Sequence, residues 1–187
     1  MEKLTMKTIG VVLTAGIMAS AVLSCGEQKK SNNIIAQKPV AKAPASPVKM
    51  QDSNHKETVE WLGGQYGISI SRRADTSLPM VRDDTGGRYY DNRISVKITR
   101  SDGSLFFEKT FTKDDFASDV DEEYLEKSAL LGIVIDSADD SGLVLAASIG
   151  SPDVLSDDYL PLLITVSRTG GISVKRDSRL DGGESDL

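Results

Sequence analysis

Beyond the first fifty residues, the apolar positions of this chain fall into short runs with a period of two. Tyr66, Ile68 and Ile70 alternate with small or polar residues, and Ile94, Val96 and Ile98 repeat the pattern, as half-buried strands require. Asp102-Gly103 falls between a strand predicted at 93–100 and another at 104–111, in which Leu105, Phe107 and Phe111 share a face. An Asp-Gly pair between two such runs is the strongest hairpin signal in the chain. Four further strands are predicted at 131–137, 142–149, 160–168 and 171–176. They join in pairs through the acidic turn Asp136-Ser137-Ala138-Asp139-Asp140-Ser141-Gly142 and through Arg168-Thr169-Gly170-Gly171, both rich in turn formers. The runs 131–135 and 162–166 are apolar on both faces, which predicts central or covered strands.

The remaining segments break this period. Thr112, followed three residues later by Asp115, predicts a capped helix start, with Phe111 able to staple against Phe116. A second short helix is expected after Asp119 or Asp121, turning Tyr124, Leu125 and Ala129 inward. Residues 51–62 read as a short helical or irregular segment that brings Trp61 to the domain, and 72–92, polar and broken by Pro79 and Gly86-Gly87, as a mobile loop. The fold expected is therefore mainly β: an antiparallel sandwich or partly open barrel of about seven strands, with a short helical insertion at 112–128 covering one opening. Its core should contain Ile68, Ile70, Ile94, Val96, Ile98, Phe107, Phe111, Ile133, Ile135, Leu145, Ile164, Val166 and Val174.

The N-terminus has another logic. Lys3 and Lys7 precede an uncharged, mostly apolar run at 8–23, the order of charge and core found in an export signal. The run is shorter than the about 20 apolar residues of a spanning helix. Val22-Leu23-Ser24-Cys25 resembles the lipobox of bacterial lipoproteins, with valine where leucine is usual. On that resemblance residues 1–24 are a signal peptide and Cys25 carries the lipid. Cys25 is the sole cysteine, so no intramolecular disulfide forms, and acylation removes an otherwise reactive exported thiol. Residues 25–52 contain Pro39, Pro44 and Pro47 and no aromatic side chain, the composition of a lipidated flexible tether. A single β-rich domain then spans 53–177, and the polar stretch 178–187 is a frayed tail.

Charge narrows the partners. Residues 25–50 carry five lysines against Glu27, giving +4, whereas residues 51–187 carry 15 basic and 26 acidic groups, giving −11. So acidic a domain repels polyphosphate, so no nucleic-acid partner is expected. The chemical inventory is equally restrictive. His55, the only histidine, lies at the junction of tether and domain, where a histidine-dependent triad or a zinc site has nothing to build on. No phosphate loop is present, and no cofactor is expected. Asp136, Asp139 and Asp140 are the calcium candidates, but they do not follow the alternating ligand ladder of a calcium loop, and aspartate in a turn is the simpler account.

Two functional readings remain. Arg72, Arg73, Arg82, Arg88 and Arg93, with Tyr89 and Tyr90, concentrate cationic and aromatic groups around 72–93, residue types enriched where proteins bind partners. This favours a lipid-anchored binding or accessory module of the envelope, whose partners are the membrane, through Cys25, and an envelope protein or glycan. The alternative is a glycosidase-like hydrolase using paired carboxylates, drawn from Asp83, Asp84 and Asp91 or from Asp139 with Asp157 and Asp158.

Cys25 with its proline-bearing tether, Leu105-Phe106-Phe107-Glu108-Lys109-Thr110-Phe111, and Asp158-Tyr159-Leu160-Pro161-Leu162 leading into Thr169-Gly170-Gly171-Ile172-Ser173-Val174 together resemble uncharacterised lipoproteins of gut and oral Bacteroidales, grouped as a domain of unknown function. The resemblance implies a cell-envelope location, on the outer membrane, and no known activity. Gly26-Glu27-Gln28-Lys29-Lys30 lacks the acidic run that follows the cysteine in relatives on the outer face, which implies the periplasmic face.

Overall fold

The alternating segments form two antiparallel meanders. In the first, β1 (Ser53–Trp61), β2 (Gly64–Ala74), β5 (Asn92–Arg100) and β6 (Leu105–Phe111) lie in the order β1-β2-β5-β6. In the second, β7 (Ala129–Ala138), β8 (Leu143–Gly150), β9 (Tyr159–Val166) and β10 (Ile172–Arg176) lie in the order β10-β9-β8-β7. A short ladder pairs β3 (Val81–Arg82) with β4 (Arg88–Tyr89). The computed structural model describes residues 46–179. The expected signal peptide 1–24, Cys25, most of the tether and the end of the tail lie outside the described residues.

The mainly β architecture expected from the sequence is present, with eight long strands where about seven were predicted and no closed barrel among the described residues. The inward faces of both sheets share one core: Ile68, Ile70, Ile94, Val96, Ile98 and Phe111 from the first, Ile133, Leu145, Ile164 and Val166 among those from the second. Three predicted core residues, Phe107, Ile135 and Val174, are only partly buried while packing against it. All three stand on β6, β7 or β10, at sheet edges where one flank has no neighbouring strand.

The turns follow their residue chemistry. Gly103 has φ +82° between β5 and β6, and the Arg100 N–H donates to Ser104 O at 2.9 Å. Leu62 and Gly63 form the β1–β2 turn with φ values of 52° and 76°, the doubly left-handed arrangement that matches strand twist. Asp115 Oδ2 accepts the Thr112 N–H at 2.8 Å, opening a 3-10 turn at Lys113–Phe116, and the Phe111 and Phe116 rings stack 6.0 Å apart. The helix α1 (Glu122–Lys127) follows Asp121, and Phe116, Val120, Tyr124 and Leu125 of this insertion reach the core.

Four expectations need correction. The segment 51–62 is neither helical nor irregular: β1 pairs with β2 from Ser53↔Arg72 to Trp61↔Gly64. Its polar residues are exposed on both faces up to Val59, as an edge strand held mainly by its backbone ladder allows. The segment 72–92 is not an open loop, since β2 continues to Ala74 and the β3–β4 ladder fills its centre. Val48, within the expected tether, joins that ladder by a parallel bridge to Tyr89. Finally, β7 is an edge strand despite its apolar run, with Val134 59% exposed and two bulges in its pairing with β8, a common way to blunt an edge.

Candidate functional site

The β3–β4 hairpin, α1 and the 151–158 loop converge on a groove of about 540 Å³. Among the described residues, six acids line it, Asp83, Asp84, Asp121, Glu123, Asp153 and Asp158, against one cation, Lys127. Asp83 holds the hairpin tip together. Its Oδ1 accepts the Thr85 N–H (2.9 Å), the Thr85 hydroxyl (2.8 Å) and the Gly87 N–H (2.7 Å), and its Oδ2 accepts the Tyr89 hydroxyl (3.0 Å). Partial burial pushes this carboxyl up, yet the hydrogen bonds from Thr85, Gly87 and Tyr89 outweigh it and hold the group below its ordinary range. Gly87 is required at the tip, because a Cβ there would meet Asp83 Oδ2 at 2.5 Å.

Asp158 is partnered in a similar way. The Tyr124 hydroxyl donates to Asp158 Oδ1 at 3.2 Å, and burial, reinforced by that carboxylate's charge, pushes the phenol up to about 12. Tyr89 is likewise pushed up to about 12, by burial and by Asp83. Lys127 Nζ sits 3.3 Å from both Asp84 and Glu123, tying α1 to the hairpin, and these carboxylates raise its pKa. Asp121 turns to Arg176 at 3.1 Å. Nearly every charged group lining the groove is fixed by a partner.

The arginines and tyrosines singled out from the sequence do not gather on one open surface. Arg72 donates to Leu131 O and, at 2.9 Å, to Gln51 O; burial lowers its pKa despite the charge of Asp52. Arg73 lies 3.4 Å from Asp52 and also donates to Ser53 O and Asn54 Oδ1. Arg93 pairs with Asp75 at 2.5 Å. Arg82 and Arg88 are cross-strand partners in the short ladder, the first exposed and the second half-buried. Tyr89 is buried at 8% exposure, and Tyr90 is half-buried with its N–H donating to Val48 O. Arg72, Arg73 and Arg93 thus fasten neighbouring chain segments.

The calcium candidates also separate. Asp136 pairs with Arg179 at 3.1 Å, Asp139 Oδ1 accepts from Ser141 and Gly142, and Asp140 faces Arg168. Among the described residues, no group of three His, Cys, Asp or Glu side chains is arranged to hold a metal ion.

The sequence profile of a domain of unknown function, DUF4738, matches residues 33–174. The chain belongs to this family. The DUF4738 match takes in β1 to β9, the start of β10 and every residue lining the groove. No curated protein matches the chain.

Of the groove's lining, the sequence pointed to Asp83, Asp84 and Asp158 as candidates for a paired-carboxylate site. It gave no reason to join them to Asp121, Glu123, Tyr124 and Lys127, because the walls come from three segments that meet only in the folded domain. A signal for the adjoining feature was present. Val154 and Leu155 are an aliphatic pair inside an otherwise polar turn, and both are 91% exposed.

Proposed function

We propose that this DUF4738 chain is a lipid-anchored binding module of the cell envelope, attached through Cys25 to the outer membrane and facing the periplasm, with the groove side of the sandwich as its recognition surface. The observation that carries this reading is how the groove's acids are held. Asp83 accepts four hydrogen bonds, Asp158 accepts from Tyr124, and Asp84 and Glu123 share Lys127. Fixed, partnered charges suit recognition, in which preorganised groups lose little freedom on binding. The signal-like N-terminus and the basic tether support the membrane address.

An envelope hydrolase is the second reading, and it draws on the same groove, whose lining includes Asp83, Asp84 and Asp158. Glycoside cleavage requires a carboxyl group that gives up a proton near neutral pH. Asp83, held below its ordinary range, has none to give. Asp91 is pushed up by burial but is 1% exposed, with its Oδ1 held by the Asn92 and Leu130 amides, so substrate does not reach it.

Fractionation tests the anchoring. The wild-type chain should be recovered with membranes and should take up labelled fatty acid, whereas Cys25→Ala should be unlabelled and released as a folded protein. Detergent-resistant attachment of Cys25→Ala would overturn the lipid anchor.

A further inference from the structure

We infer that Val154 and Leu155 form the hydrophobic anchor by which the domain docks a partner protein, and that the docking surface of this partner is an apolar pocket rimmed by lysine or arginine side chains. This rests on the binding-module reading and specifies its partner.

The two side chains stand 91% exposed at the apex of the 151–158 loop. The apex is an organised turn: the Ser156 N–H donates to Asp153 O at 3.0 Å, and the Leu155 N–H donates to Asp153 Oδ1 at 3.0 Å. The neck of the loop is closed too. The Ser151 N–H donates to Asp158 O at 3.0 Å, and a Cβ on Gly150 would meet that same oxygen at 2.3 Å. Pro152 is buried. The scaffold therefore spends hydrogen bonds and a close backbone approach on displaying an aliphatic pair at turn positions that glycine, asparagine or aspartate usually occupies. Neither side chain contributes to the core. Adjacent aliphatic groups on a preorganised apex match the form of a binding anchor, which gains by entering a desolvated pocket without first being ordered.

The surroundings select the partner. Asp153, Asp157 and Asp158 flank the apex in the sequence, and Asp84, Asp121 and Glu123 line the groove beside it. Residues 51–187 carry 26 acidic against 15 basic groups, so a second copy of the domain meets like charge, as does an anionic lipid headgroup. A cationic rim around an apolar pocket is complementary to both features.

The test uses the full acylated chain in uncharged detergent micelles. Its probe is a fluorescent synthetic peptide alternating lysine and leucine, compared with lysine–serine and glutamate–leucine peptides. The lysine–leucine peptide should bind best. Val154→Ser with Leu155→Ser should weaken it about tenfold or more, leaving the melting curve and the lysine–serine titration unchanged. Asp157→Asn should weaken it less and flatten its salt dependence. Unchanged lysine–leucine binding by the folded apex variant would overturn the inference. So would an apex variant that instead loses self-association in sedimentation, or loses adsorption to phosphatidylglycerol vesicles, since the occupant would then be a second copy or a lipid. Fractionation of Cys25→Ala reports anchoring alone and the peptide titration reports the apex alone, so the two readings fail separately.

Discussion

Lys113 Nζ lies 3.6 Å from Asp91 Oδ2, joining the residue that opens the 3-10 turn to the one that precedes β5. Both are buried, Lys113 at 9% and Asp91 at 1% exposure. The ammonium also donates to Leu125 O and Ser128 O, each at 2.9 Å. Asp91 Oδ1 accepts the Asn92 N–H at 2.7 Å and the Leu130 N–H at 3.0 Å. The pair therefore fastens the first sheet to the start of β7 and to the end of α1. Losing one partner of a buried pair costs more than losing both. Lys113→Met should destabilise the domain by about 3–5 kcal/mol, and adding Asp91→Asn should recover part of that loss, as read from urea denaturation midpoints. The single variant should also regain stability in acid. Burial already raises the Asp91 pKa, and removing the lysine raises it further, so the folded state binds the proton more tightly than the unfolded chain and stability falls as pH rises through that window. A wild-type midpoint for Lys113→Met would show that the pair does not bear on folding.

The start of the same insertion rests on local contacts. Asp115 closes the turn by accepting the Thr112 N–H and pairs with Lys109 at 2.8 Å, while Phe116 is fully buried against Phe111. Asp115→Ala should cost about 1 kcal/mol as a capping loss, and Phe116→Ala about 3–5 kcal/mol as a core cavity. Equal costs in chemical denaturation would mean that the aromatic contact does not continue the core.

This insertion was legible in the sequence because cap and staple are set by residues three and five apart. The Asp102-Gly103 hairpin was legible for the same reason. What escaped the pattern depends on distant partners. The residues of β1 show no alternation because most are exposed on both faces, and their pairing is made by backbone groups that every sequence possesses. The apolar run of β7 promised a central or covered strand, but Val134 is exposed on an edge. Tyr89 looked like a surface contact beside arginines, yet it packs with Val81, Ala129 and Leu131 while its hydroxyl reaches Asp83. The groove was hidden for the same reason, since its acids come from three segments, Asp83 with Asp84, Asp121 with Glu123, and Asp153 with Asp158, that are distant in the sequence and meet only when the 112–128 insertion and the β8–β9 loop fold against the hairpin.

Tyr89 and Tyr124, each hydrogen-bonded to an aspartate, carry a signature at high pH. Tyr89 and Tyr124 are each pushed up to about 12 from the ordinary 10.0. A phenol whose pKa is higher in the folded state binds its proton more tightly there. Its contribution to stability is therefore complete below pH 10 and is lost as pH rises towards 12. A phenolate absorbance titration of the folded protein should show a late component, and Tyr89→Phe should remove part of it while loosening the hairpin tip around Asp83. If Tyr89→Phe and Tyr124→Phe both leave the late limb of the titration intact, neither hydroxyl is held as described.

The register of the second sheet makes the last prediction, since a one-residue slip in a strand exchanges its two faces. Ile164 is fully buried, paired with Leu145 on β8 and with Val174 on β10. Val134 is 59% exposed on β7, opposite Ala146. The two residues look equally apolar in the sequence, and only the register distinguishes them. Ile164→Ala should cost about 2–5 kcal/mol, because the cavity it leaves is walled by both neighbouring strands and by the opposite sheet. Val134→Ala should fall within about 0.5 kcal/mol of wild type, since its methyl groups already face water. Val134→Lys should be tolerated as well, because a charge projecting from an edge strand discourages edge-to-edge pairing without entering the core. Urea denaturation of the three variants decides the matter: a large loss for Val134→Lys together with a small one for Ile164→Ala would place the wrong face of the sheet inward.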